Sequence, residues 1–139
     1  MRLVEKIVLK PKAIPNLAIV DFPKVFLINE ERELTIKIRN TGGDIARNIK
    51  AFVYFPAGFK ILESSGLSYV STETRPGLHV AFFEDNRLDL RETRILGKIR
   101  IGTPSEPKKY EVFFTFREEE LKYVETTLEI ETREGEVMR

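Results

Sequence analysis

The sequence predicts an all-β chain folded as an immunoglobulin-like antiparallel β-sandwich of about eight or nine strands. Three observations carry this. Apolar and polar residues alternate with period two in segment after segment, as in Leu34-Thr35-Ile36-Lys37-Ile38-Arg39. No stretch of a dozen residues keeps a helical period, and Pro or Gly interrupts most of the chain. The alternation is one-sided, which belongs to antiparallel sheets with one wet face rather than to parallel sheets buried on both.

The elements follow in order. Leu3 to Leu9 alternates and reads as an edge strand. Pro11 and Pro15 mark a linker to a strand from Leu17 to Phe22, which Pro23 limits. Leu34, Ile36 and Ile38 point one way; Glu33, Thr35, Lys37 and Arg39 point the other. Asn40-Thr41-Gly42-Gly43 connects to a strand from Asn48 to Phe55, with Ile49, Ala51, Val53 and Phe55 on one face and Phe52 and Tyr54 on the other. Pro56-Ala57-Gly58 turns the chain. Phe59 to Glu63 reads as a short strand before a Ser64-Ser65-Gly66 loop. Leu67 to Thr74 is a thinner strand, Pro76-Gly77 a turn, and Leu78 to Phe83 a strand ending at an Asp85-Asn86 turn. Arg94 to Ile101 alternates with Ile95, Ile99 and Ile101 inward. Pro104 and Pro107 bound a loop. Tyr110, Val112, Phe114 and Phe116 form the apolar face of the next strand, Arg117 to Glu120 a charged hairpin tip, and Val124, Leu128 and Ile130 mark the last strand. The expected organisation is an N-terminal strand and linker over 1–15, one sandwich over 16–132, and a charged tail over 133–139.

Composition limits the function. At 139 residues the chain has the size of one domain. There is no cysteine, so disulfide and thiolate chemistry are excluded. Charged residues make up 32% of the chain, but Lys+Arg 23 against Asp+Glu 22 leaves no global field for nucleic acid or anionic lipid. Abundant Glu, Lys and Arg with no Gln resemble hyperthermophile usage. Charges at Glu5, Lys6 and Lys10 interrupt the N-terminal apolar run, so it does not read as a signal peptide. The uncharged runs are too short for a bilayer. The expectations are no membrane insertion, no nucleic-acid partner and no export signal.

The segment Leu34-x-Ile36-x-Ile38-x-Asn40-Thr41-Gly42, followed by Ala46-x-Asn48-Ile49, Val53 and Pro56-x-Gly58-Phe59, resembles a known pattern. It is similar to the immunoglobulin-like cell-adhesion-related domains of bacteria and the conserved repeats of archaeal surface-layer proteins. The resemblance extends more loosely through Leu78 to Phe83 and Leu90 to Thr93, and covers 17–131. Arg91 stands where those families usually carry Gly. The resemblance implies a sandwich and a non-catalytic interaction or structural module. Asn and Gly are expected to supply positive φ in the connections, and Pro56 and Gly58 to re-aim the chain at the rim.

The search for chemistry is mostly negative. His79 is the only histidine and stands in a strand, on the face opposite Leu78, Val80, Phe82 and Phe83; it reads as half-exposed structure rather than as a triad base. Glu84, Asp85, Asp89 and Glu92 cluster, but Arg87, Arg91 and Arg94 stand among them and calcium-loop spacing is absent. Arg94, Lys98 and Arg100 share a strand face and read as edge-blunting charges. No phosphate-cradling glycine motif occurs. No catalytic, cofactor or metal residue is assigned. One feature points to function. Phe52, Tyr54, Phe113 and Tyr123 are expected to face outward on one sheet and form an aromatic contact surface for a protein partner or a second copy, helped by edge-strand pairing. The alternative at that face is a cover supplied by residues 1–15. The alternative function is a carbohydrate- or calcium-binding accessory domain using rim loops near Ser64–Gly66 and Asp85–Asp89.

Overall fold

A computed structural model describes residues 13–66, 73–75, 78–121 and 124–135, with the backbone alone at 64–66, 73–75 and 78. The expected strand at 3–9, the Pro76-Gly77 turn, Tyr123 and the end of the tail lie outside the described residues. Ten strands are described: β1 (Leu17–Val20), β2 (Val25–Leu27), β3 (Glu31–Asn40), β4 (Ala46–Pro56), β5 (Lys60–Gly66), β6 (Glu73–Arg75), β7 (Leu78–Leu88), β8 (Thr93–Gly102), β9 (Lys109–Arg117) and β10 (Val124–Arg133). They form two sheets, β1-β3-β8-β5 and β2-β10-β9-β4-β7-β6. The fold is an all-β, immunoglobulin-like sandwich. Among the described residues every pairing is antiparallel except one, β2 beside β10, which runs parallel with Val25 opposite Glu131.

The core lies between the sheets. Leu34, Ile36, Ile38, Leu96, Ile99 and Ile101 descend from one, and Ile49, Ala51, Val53, Phe55, Ala81, Phe83, Val112, Phe114 and Phe116 from the other. Phenylalanines from the connections plug the ends. Phe22 packs edge-on against Phe114 at 5.0 Å, and Phe59 against Tyr110 at 5.3 Å. Such edge-to-face contacts suit the quadrupole of each ring.

Several expectations are corrected. Ser64 to Gly66 continue β5 rather than forming a loop, because they pair with Gly97 to Ile99 of β8. Asp85-Asn86 is not a turn: β7 runs on to Leu88, with Asp85 opposite Ile49. The short β2 has no two-residue periodicity long enough to read. Ile95 is exposed, and Leu96 is buried instead. The cause is a β-bulge: Ile36 pairs with Gly97 and Lys37 with Ile95, which leaves Leu96 as the extra residue. One inserted residue reverses the alternation on either side of it. Arg94 therefore does not share a face with Lys98 and Arg100. It points to the gap between the sheets, where its guanidinium meets Asp85 of β7 at 2.8 Å and Glu92 at 3.1 Å. His79 is half-buried, lies opposite Phe55, and shares its face with Ala81 and Phe83 rather than opposing both phenylalanines.

The Asn-Thr-Gly-Gly connection also works differently from expectation. Positive φ occurs at Asp21, Asn29, Asn48, Arg91 and Gly58, and not at Asn40 or Gly42. Asn40 is fully buried and acts as a hydrogen-bond hub. Its Nδ2 donates to the carbonyls of Asp44 (2.7 Å) and Leu88 (3.2 Å), and its Oδ1 accepts from the amides of Gly42 (3.0 Å) and Asn16 (3.2 Å). Gly42 is needed for close approach. A Cβ there would lie 2.4 Å from the Asn16 nitrogen and the Ile14 oxygen. Pro56 and Gly58 behave as expected: the Phe59 amide donates to the Pro56 carbonyl and Gly58 has φ of 100°.

Candidate interaction face

The two outer faces of the sandwich are chemically unlike. On the four-stranded sheet, β3 and β8 present carboxylates and cations that satisfy one another. Arg100 bonds to Glu31, Lys98 meets Glu33 at 3.5 Å, and Lys37 meets Asp21 at 3.6 Å. Lys37, Lys98 and Arg100 are thus neutralised locally, while Arg39 and Ile95 stand exposed on the same face, and the exposed pairs contribute little to stability.

The outer face of the six-stranded sheet is aromatic. Buried Ala51, Val53 and Phe55 on β4 fix the parity, so Phe52 and Tyr54 point outward. Buried Val112 and Phe114 do the same for Phe113 on β9. The register aligns them: Phe52 lies opposite Phe82 of β7 and Thr115 of β9, and Tyr54 opposite Val80 and Phe113. The rings of Phe52 and Tyr54 are near-parallel at 6.3 Å, and Phe52 meets Phe82 at 4.8 Å. Arg117 places its guanidinium 5.8 Å from the Phe52 centroid. The four aromatic side chains are half-buried, while Thr115 between Phe52 and Glu125 is only 4% exposed.

Three of the four residues expected on this face, Phe52, Tyr54 and Phe113, are therefore brought together; Tyr123 lies outside the described residues. Phe82 is the member that the sequence reading left out. Its signal was present: it stands one residue from core-facing Phe83, on the other parity.

The rim acids do not converge. Asp85 and Glu92 are held by Arg94, and Asp89 by Arg87 at 2.8 Å. Among the described residues no three acidic, histidine or cysteine side chains gather as metal ligands. Partial burial pulls the Arg94 guanidinium down, but hydrogen bonds and charges from Asp85 and Glu92 outweigh it and hold the group above its ordinary value. Glu118, expected at an exposed tip, is buried. Its carboxylate accepts from the amides of Arg47 (3.0 Å), Leu121 (3.2 Å) and Glu120, so it braces the hairpin against β4. A shallow open groove lies between Pro107–Lys109 and Glu131–Glu134. Its cations Lys108, Lys109 and Arg133 are already paired with Glu106, Glu129 and Glu131. Among the described residues no helix is long and apolar enough to cross a membrane.

No family model matches the chain, and no curated protein matches it in sequence. Solved structures do. A cohesin module from a family 33 glycoside hydrolase of Clostridium perfringens superposes with a TM-score of 0.56 at 11% identity, over 88% of this chain and 99% of that one. A CARDB domain from Pyrococcus furiosus, solved in complex with di-metal ions, gives 0.53 at 17% identity, over 86% and 89%. A type I cohesin from Pseudobacteroides cellulosolvens gives 0.52 at 14% identity, over 83% and 90%. At these identities the likeness is one of fold: the chain shares the immunoglobulin-like sandwich of CARDB and cohesin domains.

Proposed function

We propose that this chain is a non-catalytic protein-interaction module whose contact surface is the outer face of the six-stranded sheet. The observation that carries this reading is the contrast between the faces. One carries mostly charges, several of them paired across β3 and β8, with only Ile95 exposed as a large apolar side chain on those two strands, and the other gathers Phe52, Tyr54, Phe82 and Phe113. Aromatic residues are enriched where surfaces meet protein partners and dominate the energetics when buried there. A solvated sheet face with no partner would carry the charged pattern seen on β3 and β8. The fold likeness to cohesin modules supports a module of this type. Sheet-face packing is the mechanism, with Phe52 and Phe113 as anchors and Tyr123 as a fifth aromatic by sequence alternation.

The test is a Phe52→Ser, Phe113→Lys double variant, read by sedimentation and by affinity capture from source-cell extract. Lys98→Glu on the opposite face serves as the control. The reading expects the double variant to lose assembly and bound proteins while its circular dichroism stays unchanged, and the control to lose neither. Identical assembly and capture profiles for wild type and double variant remove it.

A further inference from the structure

Charge on the aromatic face is arranged in a way that the other face avoids. At one end, Lys50 of β4 lies directly opposite Arg117 of β9, although Glu84 flanks Lys50 on its other side. At the other end, Glu111 of β9 lies directly opposite Glu129 of β10. Like charges directly across a ladder are unfavourable. Lys109 reaches Glu129 at 3.4 Å. Among the described residues, neither Glu111 nor Arg117 has an oppositely charged partner, and both are exposed. The two stand on one strand and one face, about 20 Å apart at strand spacing, with Phe113 and Thr115 between them.

From this arrangement we infer that the occupant of the face is a second copy of the chain, packed about a two-fold axis perpendicular to β9. The axis passes between Phe113 and Thr115. This deepens the interaction-module reading and rests on it. A two-fold axis in the interface reverses position along the strand and leaves position across the sheet unchanged. Arg117 of each copy then lies over Glu111 of the other, twice. Phe52 lies over Tyr54 of the other copy, Phe82 over Val80, and Phe113 over Thr115. Phe52 meets Tyr54 and Phe82 meets Val80, and the unpaired Arg117 and Glu111 meet each other, while Lys50 and Glu125 fall over Pro56 and Thr127. Self-complementarity of one patch is what an isologous dimer requires. Arg117 is already held near the Phe52 ring, so little freedom is lost on docking.

The experiment is charge reversal with rescue, on the full chain, by sedimentation equilibrium over a concentration series. Wild type is expected to dimerise. Glu111→Arg alone and Arg117→Glu alone should each raise the dimer dissociation constant about tenfold or more, because each places two like-charge contacts in the interface. The combined variant should return to near the wild-type value. A wild-type chain that is monomeric throughout, or single reversals without effect, or a double variant that fails to recover, overturns the inference. The broader reading fails differently. If the dimer forms and survives the Phe52→Ser, Phe113→Lys substitution, both are wrong. A monomeric wild type whose captured partners disappear with that substitution overturns the dimer and leaves the face as a protein-binding surface.

Discussion

Asn40 shows how one side chain can hold a connection together. Both halves of its amide are used, two donors on carbonyls and one acceptor on two amides, at a site closed to water. Replacement by Asp keeps the shape but turns the donating edge into an acceptor facing two carbonyls. Asn40→Asp is expected to cost at least as much as Asn40→Ala, about 2–4 kcal/mol, measured by urea unfolding. Arg91 makes the opposite case. Its φ of 61° is the left-handed region, where a side chain is strained. Gly would occupy that conformation without a Cβ penalty. Arg91→Gly should leave stability unchanged or raise it by up to about 1 kcal/mol, whereas Arg91→Val should lower it. At this scale the sequence was only half legible. Alternation located Phe52, Tyr54 and Phe113 because parity is local. The role of Asn40 was hidden, because its partners Asn16 and Leu88 are distant in the chain.

Among the elements, β4 and β9 could be read almost residue by residue, and β8 could not. The difference is the bulge at Leu96. Extra residues leave no compositional mark when the inserted side chain is as apolar as its neighbours, so Ile95 and Leu96 exchange places without any change of pattern. The pairing of β2 with β10 was equally invisible, because three residues carry no period. On β10, Glu131 and Arg133 share the outer face, two residues apart. The Arg133 hydrogen bond holds the Glu131 carboxyl below its ordinary range, with the charges of Arg133 and Lys109 adding and burial opposing. A lowered folded-state pKa means that the pair supports the fold above the ordinary glutamate range and loses that support as pH falls through the lowered value. An NMR titration of the Glu131 carboxyl should find it below a free glutamate, and Arg133→Gln should bring it back.

For the molecule as a whole, the two sheets are held by their apolar core and by polar ties at the rim, among them the Asn40 bond to the Leu88 carbonyl and the ion pair of Arg94. Arg94 of β8 spans to Asp85 of β7, whose side chain is only 10% exposed, and also donates to the Arg87 carbonyl at 2.7 Å. Removing Arg94 alone leaves a nearly buried carboxylate without its cation. Arg94→Met should therefore cost about 2–3 kcal/mol, and the added Asp85→Asn change should cost less than it does in the wild type. A double-mutant cycle in urea gives the coupling; strict additivity would show that the contact contributes nothing.

The parallel contact between β2 and β10 joins Val25–Leu27 to Glu131–Arg133, the earliest and latest parts of the six-stranded sheet. Closing that seam requires almost the whole span to have been made first. The chain should consequently be a slow, single-step folder, and a nascent polypeptide stopped before β10 would leave β2 with no bed. Neither fragment from a cut between β4 and β7 should hold structure by itself, while the two together should reassemble, as circular dichroism of the separate and mixed fragments will show.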